Sequence, residues 1–417
     1  MRSLADWLER QQQSHPKAID LTLARVRDVG ARMGLIDPAY PVITVAGTNG
    51  KGSTVAHLDS LLRALGKRTG RFTSPHLRRY NERICIDGVE ATDAALIACF
   101  ERIDSLRADV TLTFFEYNAL AALDHFRERG VEIAVLEVGL GGRLDATNIV
   151  DADVGVVCSI GMDHADWLGG TLEEIGREKA GIFRRGRPAV LASADLPASV
   201  AVVADEVGAV TITTGRDYQV SEHAGGWDFE LGAVRLARLA RPTIPGKHQI
   251  GNAAAALAAL VAAGFGGRLS SALVSIALRA TRLDGRFMIV PGPVEWILDV
   301  AHNVPAAEGL SANLRTRPRA RRTIAVCAIL GDKDILGITT TLRDEFDVWI
   351  LAALEGPRSV GTRDLAARLP ADAVVHAQSA DVPAACRAAR ELAQPGDRVV
   401  VFGSFLTVGP ALDFLGL

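Results

Sequence analysis

Residues 41–66 read PVITVAGTNGKGSTVAHLDSLLRALG, and this stretch decides the fold. An apolar, β-branched run, PVITVAG, leads into a glycine-rich loop, and a run with helical periodicity follows the loop. Backbone N–H groups at a helix N-terminus are unpaired and lie at the positive end of the helix dipole, and glycines let them approach an anion closely. The order strand, loop, helix therefore predicts a phosphate site at residues 45–54, with Lys51 as a point charge.

The loop departs from the generic P-loop pattern, G-x-x-x-x-G-K-[ST]. Val45 stands at the place of the first glycine, and Gly52 stands at the place of the Ser or Thr. Glycine-rich turns also precede helices that bind no ligand. This stretch alone therefore leaves open whether the loop binds a nucleotide.

Composition limits the class of protein. The chain has 417 residues, which is too long for one ordinary core, and we expect two domains. A net charge of -3 gives no reason to expect nucleic acid or an anionic membrane as a partner. The N-terminus, MRSLADWLERQQQ, has no apolar signal core, and the alanine-rich stretch from residue 253 is predicted to be too short for a bilayer span. We expect a cytoplasmic enzyme.

Two further features are predicted to be structural. The five cysteines are odd in number, widely spaced and without a C-x-x-C pair, which predicts reduced and mostly buried thiols in a cytosolic chain. The basic run RTRPRARR at 315–322 is predicted to be a solvated surface at the entry to a strand.

Short Val/Ile-rich runs alternate with helical segments along the chain, which predicts a parallel sheet covered on both faces. In the first half the predicted strands are PVITVAG, GRFTS, VEIAVLEVG, ADVGVVCSIG, PAVLAS and AVTITT, and in the second half they are VEWILDVAHN, TIAVCAIL, VWILAAL, AVVHAQ and RVVVFGSF. We predict an α/β protein with a doubly wound N-terminal domain at 1–288 and a smaller Rossmann-like C-terminal domain at 289–417. Alternating polarity and glycines at 217–244 predict an antiparallel hairpin insert in the first domain.

Polar side chains fall where the predicted strands end, the edge at which open parallel sheets bind ligands. They are Ser74, Glu137, Asp163, His164, Asp299, His302 and Asn303. A carboxylate, an imidazole and hydroxyls beside a phosphate would suit Mg²⁺, although histidine is an unusual ligand for it. The residues alone leave open whether Glu137 and His164 bind metal or are satisfied polar groups or caps.

Lys179 lies in TLEEIGREKAGIF, where Ile175, Ile182 and Phe183 follow a helical period. A partly buried lysine there would have its pKa lowered by desolvation, leaving a neutral amine able to react. The alternative is an exposed lysine paired with Glu174 or Glu178. The residues by themselves favour the exposed lysine.

The chain resembles a known family over most of its length. The bacterial folylpolyglutamate synthase / dihydrofolate synthase family, a branch of the Mur ligase superfamily, carries the same motifs in the same order from about residue 18 to the C-terminus. They are GTNGKGS, SPHL with NERI, LTFFE, EVGLGGRLDATN, SIGMDHADWLG, EKAGIFR, GKHQIGNAAAA, DGRF, DVAHN, DKD and GSFLTVG. GTNGKGS is the Mur-type loop, so the resemblance explains Val45 and Gly52 and implies nucleotide binding.

The resemblance also implies two kinds of cofactor. They are ATP, which would be held between the two domains, and two Mg²⁺ ions. ATP contacts are implied at Thr48, Asn49, Gly50, Lys51, Gly52, Ser53, Asn252, Arg286 and Asp299, and metal ligands at Ser74, Glu137 and His164. Lys179 matches the lysine that such enzymes carry as an N-carboxylated side chain, which reverses the preference for an exposed lysine. The catalytic set implied is Lys51, Lys179, His164, Asp299 and His302.

The pterin substrate of the bifunctional members is implied to contact three segments. They are Ile19, Asp20 and Leu21; Thr113, Phe114, Phe115 and Glu116; and Leu144, Asp145 and Ala146. Phe114 and Phe115 would suit a flat heterocycle by stacking. The implied activity is ATP-dependent addition of L-glutamate to 7,8-dihydropteroate and to tetrahydrofolate through an acyl phosphate, by a monomer.

One motif departs from the family pattern. The family usually reads D-G-A-H-N-P, whereas this chain has DVAHNV at 299–304. Val300 and Val304 remove a glycine's freedom and a proline's constraint, which puts the placement of glutamate near His302 in doubt. The other functions considered are a monofunctional folylpolyglutamate synthase, a Mur-type ligase for a peptidoglycan precursor, and a catalytically silent nucleotide-binding partner. The LTFFE and SPHL segments argue against the peptidoglycan ligase, and the set Lys51, Glu137, His164 and Lys179 argues against the silent protein.

Overall fold

A computed structural model describes residues 2–417. The chain divides into two compact units. Of the described residues, the first comprises 2–161, 168–243 and 249–281, and the second comprises 162–167, 244–248 and 282–417. The predicted domain boundary at 288/289 stays a prediction.

The elements alternate along the chain as the apolar runs predict. The helices are α1 Leu4–Gln13, α2 Ala24–Arg32, α3 Lys51–Ala64, α4 Asp93–Leu106, α5 Phe114–Glu128, α6 Ala165–Leu168, α7 Leu172–Ala180, α8 Ala198–Val207, α9 His248–Leu260, α10 Ser271–Ala280, α11 Val304–Arg315, α12 Ile335–Thr341, α13 Thr362–Ala366, α14 Val382–Leu392 and α15 Phe405–Leu415. The strands are β1 Val42–Ala46, β2 Thr69–Phe72, β3 Ile84–Ile86, β4 Val89–Glu90, β5 Ile133–Glu137, β6 Val154–Val157, β7 Pro188–Leu191, β8 Val210–Thr213, β9 Tyr218–His223, β10 Gly226–Leu231, β11 Val234–Leu239, β12 Met288–Val290, β13 Glu295–Asp299, β14 Thr323–Cys327, β15 Val348–Ala352, β16 Val375–Ser379 and β17 Arg398–Phe402.

The first unit is built on an eight-stranded sheet in the order β4-β3-β2-β5-β1-β6-β7-β8. Strand β1 pairs in parallel with β5 and β6, so the loop that follows β1 leaves the middle of the sheet. The prediction of a parallel sheet is confirmed for six strands, β2-β5-β1-β6-β7-β8. Strands β3 and β4 add an antiparallel edge beside β2.

Alternate residues of this sheet face two different cores. Ile43, Val45 and Val135 pack with α3, α9 and α10 on one face. Val42 and Leu136 pack with helices α1, α2, α4 and α5 on the other. Burial on both faces explains why these strands read as continuous apolar runs.

The predicted insert is an antiparallel sheet of three strands, β11-β10-β9, rather than a single hairpin. Its buried residues Trp227 and Phe229 join the core that contains α9. The alanine-rich stretch from residue 253 belongs to a longer helical run. Within residues 2–417, the segment 248–268 is the one helical run long and apolar enough to span a bilayer, with mean hydropathy 1.6, and half of that window is buried. The run changes direction at Gly264, which has φ 87°.

The second unit has a six-stranded sheet in the order β12-β13-β17-β14-β15-β16. Only β12 runs antiparallel to its neighbour, so the predicted Rossmann-like arrangement is confirmed for the five longer strands. The core of this unit includes Ile297, Cys327, Trp349, Leu351 and Phe402. All five cysteines of the chain are buried.

The basic run at 315–322 is tied to acidic residues, so the prediction of a solvated surface is only partly correct. Arg317 pairs with Glu295, and Arg321 and Arg322 both pair with the buried carboxylate of Asp397. The run therefore contacts the N-terminal ends of the neighbouring strands β13 and β17.

Candidate active site

The loop between β1 and α3 has the backbone of an anion cradle. Gly47 and Gly50 have φ values of 148° and 87°, a region that side chains rarely adopt. A Cβ at Gly50 would lie 2.7 Å from Oδ1 of Asn252, so this asparagine lies directly against the loop. Gly52 and Ser53 form the first turn of α3, whose N–H groups are the donors available to a phosphate.

The segment after β6 holds the loop in place. The N–H of Thr48 donates to the carbonyl oxygen of Ser159 at 2.6 Å, and the Thr48 hydroxyl exchanges hydrogen bonds with both backbone groups of Gly161. Asn49 and Ser159 bond each other through the Ser159 hydroxyl. The loop is therefore fixed before any ligand binds.

Two lysines from different helices converge on this loop. Nζ of Lys51 donates to the carbonyl oxygens of Gly47 and Thr48 at 3.0 and 3.1 Å. Lys179 is only 5% exposed, and its Nζ also donates to the Gly47 oxygen at 3.0 Å. The alternative of an exposed Lys179 paired with Glu178 is wrong, since Glu178 binds Arg143 instead.

Ser74 and Glu137 lie side by side at the same edge of the sheet. Glu137 ends β5 opposite Val45 of β1 and is 5% exposed. Its Oε2 accepts a hydrogen bond from the N–H of Ser74 at 3.2 Å. A hydroxyl and a buried carboxylate are oxygen donors that fit a hard cation such as Mg²⁺.

His164, the third predicted metal ligand, belongs to the second unit. Its φ of 54° is unusual for a residue with a side chain, and such strain often marks functional positions. Across residues 2–417, no three His, Cys, Asp or Glu side chains are grouped closely enough to hold a metal ion without other ligands.

Asp163, next to His164, is the centre of a polar cluster in the second unit. Its Oδ1 accepts from Nζ of Lys333 at 2.5 Å, and its Oδ2 accepts from Nδ2 of Asn303 at 3.2 Å. Nε2 of His302 lies 3.8 Å from the same carboxylate. Burial alone would raise the pKa of Asp163, but the charges of His164, Lys333 and His302 hold it well below its usual range. The residue patterns did not single out Lys333 as a site residue. The one sequence feature that could have indicated it is the DKD motif at 332–334.

Asp299 is held by backbone donors at the end of β13. Its carboxylate accepts from the N–H groups of Phe287 and Ala301, each at 2.8 Å. Burial raises the pKa of Asp299 to about 6, while the charge of Arg286 opposes that rise. The guanidinium of Arg286 lies 5.0 Å from the ring centroid of Phe405. Two of the predicted ATP contacts therefore lie together in the second unit.

The valines of DVAHNV do not distort this segment. Val300 is buried, and it is not among the residues of the range 2–417 that have a positive φ. The backbone at this position therefore does not need the conformational freedom of a glycine. Helix α11 begins at Val304 with Pro305 directly after it, and Asn303 caps the helix through the N–H of Ala306. The proline constraint is thus kept one position later.

The first predicted substrate segments are joined by an arginine. Arg25 of α2 donates to Asp20 at 2.8 Å and to Glu116 at 3.2 Å. Glu116 also accepts from the N–H of Thr113 at 2.7 Å in a capping box that begins α5. Ile19 and Leu21, beside Asp20, are half-buried.

The aromatic pair starts α5. Phe115 packs against Phe72, with ring centroids 5.8 Å apart, and a Cβ on Gly139 would lie 2.4 Å from the Phe115 ring. Phe114 meets the edge of Tyr80 at 6.0 Å. Both rings keep partial exposure, which leaves aromatic surface for a ligand.

The third predicted substrate segment is organised by the side chain of Asp145, which is buried. Its carboxylate accepts from the N–H groups of Gly139, Leu140 and Thr147. Burial raises the pKa of Asp145, and these hydrogen bonds lower it. Leu144 is half-buried and Ala146 is buried beside it, so Asp145 fixes the backbone of this turn.

Comparison with known proteins decides the family. The Mur ligase middle domain matches residues 45–260, and the Mur ligase glutamate ligase domain matches residues 285–405. The dihydrofolate synthase/folylpolyglutamate synthase of Escherichia coli (strain K12) is 44% identical over 413 residues, which cover 99% of this chain and 95% of that protein. The chain belongs to this family of Mur ligases. The predicted membership of the Mur ligases is confirmed.

Solved structures of this Mur ligase family superpose over the full chain. The E. coli enzyme in complex with DHPP and ADP has a TM-score of 0.94 at 44% identity and covers 100% of this chain and 98% of its own. A bifunctional folylpolyglutamate synthase/dihydrofolate synthase with Mn, AMPPNP and L-glutamate bound has a TM-score of 0.92 at 42% identity, covering 100% and 99%.

Proposed function

We propose that this chain is a bifunctional ATP-dependent ligase that adds L-glutamate to 7,8-dihydropteroate and to tetrahydrofolate. The observation that carries the proposal is the cradle at 47–51, with Lys51 and Lys179 both bound to Gly47. It stands in a chain that is 44% identical over nearly its whole length to a dihydrofolate synthase/folylpolyglutamate synthase.

The first step is activation of the substrate carboxylate, which is a poor electrophile. A carboxylate oxygen attacks the γ-phosphorus of ATP, the bond from that phosphorus to the β-phosphate oxygen breaks, and ADP leaves an acyl phosphate. Both reactants are anions, so their approach costs Coulomb energy. Lys51 and the N–H groups of the loop offset that cost, and their effect grows as charge develops on the transferred group.

The second step forms the amide. The neutral amine of glutamate attacks the acyl carbon, the bond from that carbon to the phosphate oxygen breaks, phosphate leaves, and the amine loses a proton. Nδ1 of His302 lies 2.7 Å from the Val300 carbonyl oxygen, a contact in which Nδ1–H donates and leaves Nε2 to accept a proton. Burial and the charge of Lys333 lower the pKa of His302 to about 4, so its imidazole is neutral at pH 7. We expect His302 to lie near the glutamate.

We propose that the enzyme uses two Mg²⁺ ions. The residues that would hold them are Ser74, Glu137 and His164. The fit rests on the oxygen donors of Ser74 and buried Glu137, which lie together. A bound Mg²⁺ would neutralise phosphate charge and make the γ-phosphorus a better electrophile.

We further propose that Lys179 is N-carboxylated. Its neutral amine would attack CO₂, forming an N–C bond and releasing a proton. Burial of the side chain favours the neutral amine, and the carbamate keeps one N–H for the Gly47 carbonyl oxygen. The added carboxylate would be a further ligand for the metal ions.

Glutamate-dependent ADP release tests the function. Purified protein with Mg²⁺-ATP and glutamate receives 7,8-dihydropteroate in one reaction and tetrahydrofolate in another. We expect release in both. Release with tetrahydrofolate alone would indicate a monofunctional folylpolyglutamate synthase, and no release with folded protein would return the assignment to another Mur-type ligase.

Two properties of the whole protein complete the proposal. We expect a cytoplasmic location, since the widely spaced buried cysteines suit a reducing compartment. We also expect a monomer, which light scattering after gel filtration would check.

A further inference from the structure

Arg83 is a buried cation beside the aromatic pair, and no role has yet been assigned to it. It ends the turn Tyr80–Arg83 just before β3 and is 7% exposed. Its guanidinium carbon lies 5.5 Å from the ring centroid of Phe114 and 5.8 Å from that of Tyr80. The side chain therefore lies against both rings.

The only hydrogen bond of the Arg83 side chain within residues 2–417 goes to a neutral group. Nε donates to Nδ1 of His76 at 2.8 Å. An Nδ1 atom that accepts this hydrogen bond carries no proton, so the imidazole is an uncharged partner. The contact fixes the orientation of the guanidinium and provides no counter-ion.

Arg83 also lacks an ion pair with any carboxylate of the described chain, unlike other enclosed arginines. Arg398 pairs with Glu295, and Arg25 pairs with Asp20 and Glu116. The neighbouring Glu82 is occupied by the backbone N–H groups of residues 77–79. An unpaired buried charge is costly, and proteins retain one where a ligand supplies the counter-ion.

The surroundings define the ligand's chemistry. Phe114 and Phe115 offer aromatic surface on one side of Arg83. The charge of Glu137, which lies opposite Val45 at the start of the phosphate loop, attracts that of Arg83. An aromatic ring carrying a carboxylate could place the ring at Phe114 and the carboxylate at Arg83, near the phosphate loop.

We propose that Arg83 binds the carboxylate of the pteroate substrate and presents it to the γ-phosphate. The inference rests on the proposed function, since it names the group that recognises the reacting end of that substrate. A planar guanidinium can bind two carboxylate oxygens at once, which orients as well as neutralises them. The carboxylate would also supply the paired counter-ion that His76 does not provide.

The test compares two ligands on four proteins. The ligands are 7,8-dihydropteroate and its analogue with hydrogen in place of the carboxylate, and calorimetry with saturating ADP gives both dissociation constants. The proteins are the wild type, R83Q, R83K and the control R79Q. Arg79 is in the same turn, but its side chain is 63% exposed and faces Glu90 and Asp93.

We expect the wild type to bind dihydropteroate roughly 10- to 100-fold more tightly than the analogue, the range for a hydrogen bond to a charged group. R83Q should lose most of this preference while binding the analogue as before, R83K should fall between, and R79Q should match the wild type. An R83Q protein that keeps the wild-type preference would overturn the proposal. If R83Q does not unfold cooperatively, R83K decides, and its unchanged preference would also overturn it.

Failure of the proposed function gives a different result. In that case wild-type protein that binds ADP would bind neither pteroate ligand and would release no ADP with glutamate. Loss of the carboxylate preference in R83Q alone cannot produce that pattern.

Discussion

The Nζ atoms of Lys51 and Lys179 share one acceptor, the carbonyl oxygen of Gly47, at 3.0 Å each. Two protonated amines this close would repel each other, which adds to burial in favouring the neutral amine of Lys179. Carboxylation of Lys179 would turn the repulsion into attraction. It would also leave Lys51 as the single cation directed at the phosphates.

Lys179→Ala should abolish ligase activity, because the proposed metal-binding carboxylate is lost. Acetate should restore part of the activity by entering the space left by the side chain. The measurement is glutamate-dependent ADP release with and without acetate, alongside Lys67→Ala, which removes a lysine paired with Glu132 and should stay active. Full activity of Lys179→Ala would remove this residue from the active site.

Lys51→Ala should lower turnover by orders of magnitude, because the approach of two anions loses its nearest cation. Each tenfold loss corresponds to about 1.4 kcal/mol of activation free energy. Steady-state kcat gives the size of the effect, and Lys51→Arg, which keeps a charge, should lose less. A near wild-type rate for Lys51→Ala would exclude the loop from catalysis.

Arg25→Gln should raise KM for the pteroate substrate more than it changes kcat. Arg25 joins Asp20 to Glu116, so its loss frees the N-terminal segment from α5 and leaves Glu116 without its cation. We expect a stability loss of about 1–3 kcal/mol as well. The matched control is Arg27→Gln, an exposed position on the same helix. Equal KM values for the two variants would argue against Arg25 as a positioning residue.

The free energy of unfolding should fall as the pH is lowered from 7 to 5. Burial lowers the pKa of His57 from 6.5 to about 4, so the folded state keeps this imidazole neutral. Between those two values the unfolded chain binds a proton that the folded chain does not, so stability is full above pH 6.5 and decreases below it. One such histidine contributes about 2 kcal/mol between pH 7 and 5.

Denaturant titrations at both pH values measure this slope. His57→Gln should reduce it, whereas His376→Gln, at an exposed position, should not. Part of the slope should remain in His57→Gln, since burial also lowers the pKa values of His76 and His302 to about 4. An identical slope in wild type and His57→Gln would contradict the prediction.

The core of the fold was predictable because its signals are local. Strand β1, the loop and α3 are consecutive, and each parallel strand is an apolar run between helices. The short strands β3, β4 and β12 have two or three residues and show no periodicity. Edge strands of this kind are fixed by pairing with a neighbour, which a sequence pattern does not report.

The side-chain partners were harder to predict than the positions. The capping-box pattern T-x-x-E at 113–116 was a signal for the hydrogen bond between Thr113 and Glu116. By contrast, Lys333 and Asp163 are 170 residues apart, and only folding brings them together. Arg83 was overlooked for the same reason, because an unpaired buried charge is visible only once its neighbours are known.

The central position of β1 has a consequence for synthesis of the protein. Its neighbours, β5 and β6, are translated long after it, and the contacts of Thr48 wait for Ser159 and Gly161. At roughly 5–20 residues per second, the ribosome exposes the glycine-rich loop for on the order of ten seconds before its supports exist. During that interval the nascent chain lacks the contacts that hold the loop in place, and we expect ATP to bind only after residue 161 has been made.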